Sequence, residues 1–163
     1  MNLKARITIA GAVLLVAGTF AGCGGDSEEE SLSKSEFIAQ VDTLCAENND
    51  VAAELSDEVG TAYQAGDYQA AADALEQQTD STVAMVDKVK ELTPPEEDQA
   101  TIDEMLAISD EQQALAGDLV VAVGEGDDAS VNQMSEELGS LADEFNVIAD
   151  DYGFVDCGSA GDV

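Results

Sequence analysis

VNQMSEELGSLADEFNVIADDY, residues 131–152, settles the fold class of this chain. Its large apolar residues are Val131, Met134, Leu138, Leu141, Phe145, Ile148 and Tyr152, spaced in steps of three and four. An α-helix turns once in 3.6 residues, so this spacing gathers them on one face. The period-two alternation of a half-buried strand is missing. Gly153 follows, a residue free to take the left-handed backbone that stops a helix.

Similar segments lie upstream. Gly124-Glu125-Gly126-Asp127 breaks the chain, and before it runs a stripe of Ile102, Met105, Ile108, Gln112, Leu115, Leu119 and Ala122. Glu96, Glu97 and Asp98 crowd the start of that segment, where negative charge suits the helix dipole. Thr93-Pro94-Pro95 ends an earlier stripe of Tyr68, Ala72, Leu75, Thr79, Thr82, Val86 and Val89, because proline cannot continue a helix it sits inside. Asp67, after Gly66, is placed to cap that helix. Ser33-Lys34-Ser35-Glu36 has the capping-box pattern and opens the first segment. The first stripe is Phe37, Val41, Leu44, Val51, Leu55, Val59 and Ala62, with Asn48 on the same face. The turn near Ala65 has the texture of a helical repeat, but no second copy stands at a fixed period. Four amphipathic helices of roughly 25 to 32 residues joined by short turns predict an all-α, up-down-up-down four-helix bundle over 34–158. Residues 159–163 are expected to fray.

Residues 1–22 belong to something else. Lys4 and Arg6 precede an apolar run from Ile7 to Phe20. At about fourteen residues it suits a secretory h-region; a membrane-spanning helix needs roughly twenty. The run ends Phe20-Ala21-Gly22-Cys23, which resembles the bacterial lipobox, with Phe20 standing where Leu is usual. That resemblance implies cleavage before Cys23 and a diacylglyceryl group on its sulfur, with fatty chains of the palmitate kind. An ordinary secretory signal with an incidental cysteine is the alternative, and both readings export the chain. Two acyl chains hold a membrane stably where one holds only marginally. Residues 23–33, acidic and poor in apolar groups, read as a disordered tether.

With Cys23 lipidated, Cys45 and Cys157 remain, a pair in an oxidising compartment where a disulfide is the expected state. The bundle makes it feasible. Cys45 lies roughly 17 Å along the first helix, and the five residues after Tyr152 reach at most about 16–18 Å. An even helix count returns the tail to that end and predicts that it covers the seam between first and last helices, burying Phe154. A reactive thiol pair has little support without a Cys-x-x-Cys motif or a histidine.

Composition excludes several functions. The chain has 36 acidic residues, 5 basic residues and no His. Only Lys34, Lys88 and Lys90 follow the leader, so no basic footprint exists for nucleic acid. The acidic surface suits solubility or a salty habitat; attraction of cationic partners is the other reading. Without His, a serine or cysteine nucleophile lacks its usual base, and the Glu-x-x-His metal pattern of helical bundles cannot occur. Gly124-Glu125-Gly126-Asp127-Asp128 and residues 26–30 lack EF-hand spacing. Acidic residues are too numerous for any pair to mark a glycosidase, and a chain without Trp grips sugar rings poorly. The expectation is a protein that is not an enzyme and that holds neither metal nor cofactor.

Leu32-Ser33-Lys34-Ser35-Glu36-Phe37-Ile38-Ala39-Gln40-Val41-Asp42, then Leu44-Cys45-Ala46-Glu47, Leu92-Thr93-Pro94-Pro95, Tyr152-Gly153-Phe154 and Cys157-Gly158, together resemble a group of small, largely uncharacterised actinobacterial lipoproteins. The resemblance covers most of the chain after the leader. It implies a helical domain with a disulfide, and no particular activity.

Asn48, Thr79, Thr82 and Gln112 fall on otherwise apolar stripes. Buried polar groups need partners. Such residues either fix helix register, sit at a wet edge, or line a ligand pocket between helices. Two functions therefore stand. The first is a monomeric interaction or spacer module on the outer face of the cell membrane, held by the lipid on Cys23 and facing an envelope protein or cell-wall component. The second is a small-molecule binder with an interior polar pocket. Replacing Cys23 with Ala should abolish incorporation of a fatty-acid analogue in metabolic labelling; equal label in wild type and variant would remove the anchor.

Overall fold

A computed structural model describes residues 31–159 and 161 of the chain. The expected leader 1–22, Cys23 and the expected tether through residue 30 lie outside the described residues. The helices are α1 (Lys34–Ala65), α2 (Tyr68–Lys90), α3 (Gln99–Glu125) and α4 (Asp128–Tyr152), with one 3-10 turn, Glu96–Asp98, leading into α3. They build the four-helix bundle that the stripes predict. Among the described residues there is no strand.

The caps form as their residues dictate. The N–H of Glu36 donates to the Ser33 hydroxyl at 3.4 Å, and the Ser33 N–H donates to Glu36 Oε2 at 3.1 Å, closing the capping box. These bonds hold the Glu36 carboxyl below its usual range. Leu32, directly before the cap, packs against the cluster that holds Phe37, the two positions of a hydrophobic staple. Its N–H also donates to the Thr93 carbonyl at 2.9 Å. The end of the expected tether is therefore docked, because Leu32 is its one large apolar residue and has a core to enter.

The two outer corners are built alike. Gly66 and Gly126 both take the left-handed conformation, with φ of 77° and 66°. In each corner the glycine and the following aspartate return their N–H groups to the helix just ended: Gly66 to Tyr63, Asp67 to Ala62, Gly126 to Val123 and Asp127 to Ala122. Each aspartate then caps the next helix, Asp67 through the Ala70 N–H and Asp127 through the Ser130 N–H. Bonds from Ser130 lower the Asp127 carboxyl below its usual range. The chain is thus two helical hairpins with one corner design, a repeat that the dissimilar flanking residues hide in the sequence.

Two apolar clusters hold the bundle. The first gathers Phe37, Val41 and Cys45 of α1 with Ile102, Met105, Ala149, Tyr152 and Phe154. Phe37 is fully buried, a contribution of about 1.5–3 kcal/mol. Its ring meets Tyr152 edge-on and leans on Phe154, both at 6.3 Å between centroids. The second gathers Ala71, Ala72, Leu119 and Val123, with Tyr63, Val131 and Leu138 against them. α1 packs closely on α2, α2 on α3 and α3 on α4, but α1 and α4 do not close the ring by comparable backbone packing.

The fourth seam is joined by side chains and the tail. Cys45 and Cys157 form the expected disulfide, with 5.2 Å between their Cα atoms. One turn before Cys45, the Asp42 carboxylate accepts the N–H groups of Val155, Asp156 and Cys157 at 3.0–3.3 Å. Phe154 is buried, as the topology predicts. Ser159, expected to fray, instead gives its N–H and hydroxyl to Asp150, at 3.1 and 2.7 Å. At the far end the Tyr63 hydroxyl donates to Asp128, and that carboxylate pushes the phenol up to about 12.

The α1 stripe departs from its expected register. Beyond Val41 the buried residue is Cys45, while Val51 is exposed. The face advances in steps of four, 37-41-45-49, and counting Leu44 in place of Cys45 turns the register by one residue.

The paired corners generate a comparison. A Cβ at Gly66 meets open space, whereas one at Gly126 comes within 2.7 Å of the Tyr68 ring. Gly66→Ala should cost about 1–2 kcal/mol for its left-handed backbone alone, and Gly126→Ala distinctly more in urea unfolding. Equal losses would mean that Tyr68 yields freely.

Candidate functional site

Between the two apolar clusters lies a half-open cavity of about 440 Å³. Its ends are apolar because the clusters supply them. Met85, Phe145 and the Cys45–Cys157 bridge close one end; Leu75, Leu119 and Leu138 close the other. Its middle is polar. α2 contributes Gln78, Thr79 and Thr82, and α3 contributes Ser109, Gln112 and Gln113. α1 adds only Asn49 above the disulfide. α1 and α4 lack close backbone packing on each other.

Three of the residues singled out by the stripes, Thr79, Thr82 and Gln112, line this one cavity. Asn48 does not. It sits in the α1–α2 seam, where its amide donates to Thr82 at 3.4 Å and its carbonyl accepts from Ser81 at 2.9 Å. An outer groove borders it there, with Val51 and Lys88. Beside Cys45, the α1 residue on the cavity wall is Asn49, displaced by the same one-residue turn that moves Cys45 into the core. Asn49 donates to the Asp156 carbonyl at 2.8 Å and so fixes the tail as part of the wall. Gln78, Ser109 and Gln113 also escaped the stripes. Ser109 and Gln113 are spaced by four and share a face of α3, a signal legible once the α3 face is known.

Hydrogen bonds decide what the wall offers. Thr79 donates its hydroxyl proton to the Leu75 carbonyl at 2.9 Å, and buried Ser109 donates to Met105 at 3.0 Å. Each spends its donor on its own helix, leaving its oxygen able to accept. Gln113 is the opposite case. Its Nε2 is buried and finds no partner among the described residues. Leaving a buried donor unpaired costs about 1–3 kcal/mol.

No group of three or more His, Cys, Asp or Glu that could hold a metal ion occurs among the described residues. No helix among them is long and apolar enough to cross a membrane. The exposed large apolar side chains, Val51, Tyr68, Val121, Val147 and Val155, are dispersed over all four helices and the tail. Such scattered residues are ordinary on a protein surface.

Gln113→Met replaces the unpaired amide with an apolar chain of similar length. Free of ligand, the variant should be more stable than wild type by about 1–3 kcal/mol in chemical denaturation. A clear loss of stability would show that the amide is satisfied in the native protein.

A scan against protein-family models finds no match, and comparisons with curated proteins and with solved structures find none either.

Proposed function

We propose that this chain is a lipid-anchored, extracytoplasmic binding module that holds a small molecule in its mid-bundle cavity. The observation that carries the proposal is a half-open cavity of about 440 Å³ with apolar ends and a polar middle that includes Gln78, Thr79, Thr82 and Gln112. Small-molecule sites span roughly 300–1,000 Å³ and combine apolar walls with a few placed polar groups. Residues 7–23 support the anchor and the export that come with it. The wall's chemistry supports binding as the reading: the Thr79 and Ser109 hydroxyls both donate to carbonyls of their own helices.

Filling the cavity tests the proposal. Native mass spectrometry of the full chain, extracted from its own membranes, should reveal a bound species of small mass. Ala142→Phe, which builds from the α4 wall into the cavity, should release it; Ala116→Leu, a gentler filling, should weaken it. If the extracted protein carries nothing, and both filled variants gain stability with no loss of any binding, the cavity is only a packing void.

A further inference from the structure

A second, smaller void of about 40 Å³ lies inside the first apolar cluster, where Phe37, Val41, Val89, Ile102, Leu106 and Phe154 line it. It borders the mid-bundle cavity, because Met85, Ser109, Phe145, Cys45 and Cys157 stand on the walls of both. We propose that the occupant of the cavity is an amphiphile without negative charge, whose unbranched alkyl chain passes Met85 into this void. The inference rests on the cavity being a ligand site and adds the class of molecule that fills it.

The void suits hydrocarbon. Its size would admit water, which needs roughly 10–15 Å³ of such space but also two to four polar partners. The wall offers one polar side chain, Ser109, and its proton is committed to the Met105 carbonyl at 3.0 Å. Apolar voids of this kind stay dry and take up hydrocarbon. Of the residues between void and cavity, one can yield. Cys45 and Cys157 are bonded to each other, Ser109 is bonded to its own helix, and Phe145 is a rigid ring. Met85 is unbranched and adaptable. It also lines the outer groove between α1 and α2, beside Leu44 and Val51, which gives its side chain room to move.

Charge constrains the other end of the molecule. No Lys or Arg lines either the cavity or the void, and 36 acidic residues against 5 basic ones set a field that repels anions. A carboxylate or phosphate head would be desolvated there without a counter-charge, which is costly. The belt of Gln78, Thr79, Thr82 and Gln112 instead offers hydrogen bonds to a hydroxyl, ester or amine head. A polyol would satisfy the belt, but it has nothing to place in the apolar void.

Methyl NMR of the full chain, titrated with straight-chain alkanols, reads both ends of the molecule. Octanol should perturb the Val89 and Leu106 methyl groups, and affinity should rise about fourfold for each carbon added from butanol. A branched octanol isomer and octanoate should each bind at least tenfold more weakly than octanol. Leu106→Phe fills the void, and Met85→Ile puts a stiff β-branched chain at its entrance. Both should weaken octanol at least tenfold and change butanol far less. Octanol that binds without perturbing Val89 or Leu106, and binds equally to both variants, overturns the threaded chain. If Ala142→Phe still abolishes that binding, the cavity remains a ligand site of another class. Octanoate binding as tightly as octanol overturns the charge assignment. If no alkanol binds, this proposal falls; if the protein from native membranes is also empty, the ligand-site reading falls with it.

Discussion

Asp42 and Cys45 stand one turn apart on α1, and together they hold the end of the chain against its beginning. One carboxylate collects three successive backbone N–H groups of the tail, and one disulfide fixes the sulfur just beyond them. Everything at the fourth seam depends on this junction. The hairpins α1–α2 and α3–α4 are joined through α2 and α3, and their outer helices lack close backbone packing on each other. Without the junction, Phe154 would lose its place beside Phe37, and the cavity would lose the wall made by Cys157 and Asp156. A disulfide spanning so long a loop removes about 4–5 kcal/mol of unfolded-chain freedom.

The cavity is a place where packing rules are relaxed. Natural interiors leave few voids larger than a water molecule and few unpaired donors. Here an interrupted core and an unpaired amide occur together, between two clusters that are otherwise ordinary. Local conflicts of this kind concentrate where a protein trades stability for function. The polar residues of α2 and α3 cannot be swapped for leucines without joining the clusters into one continuous core, and a better-packed bundle would have no room for a guest.

Much of the fold was legible in the residues, because helix caps and breaks are local chemistry. Ser33 and Glu36, Asp67, the prolines at 94 and 95, and Gly153 each act within a turn of where they sit. The disulfide was legible from cysteine count and chain reach. The site was legible only in part. Thr79, Thr82 and Gln112 interrupt apolar stripes and do line the cavity, but Asn48 misses it by one position. Treating Cys45 as a cross-link hid that it is also a core residue on the α1 face, and the register slipped there. Spacing alone leaves Leu32 and Ser159 in loose ends, because their partners, Thr93 and Asp150, are tertiary or cross-turn contacts that it does not reveal. The donor state of Gln113 depends on every neighbour at once, and no periodicity encodes it.

The docked start of α1 has a mechanical consequence. Leu32 is bonded to Thr93 and packed against the cluster that holds Phe37, and the Asp42 and Cys45 attachments lie within the next three turns of the same helix. A pull on the amino terminus is therefore spread at once into α2, α3 and the tail at that pole. The load passes through the first apolar cluster, and the hollow beyond it is left largely unstressed. A molecule dragged by its leading end would deform last where it is emptiest.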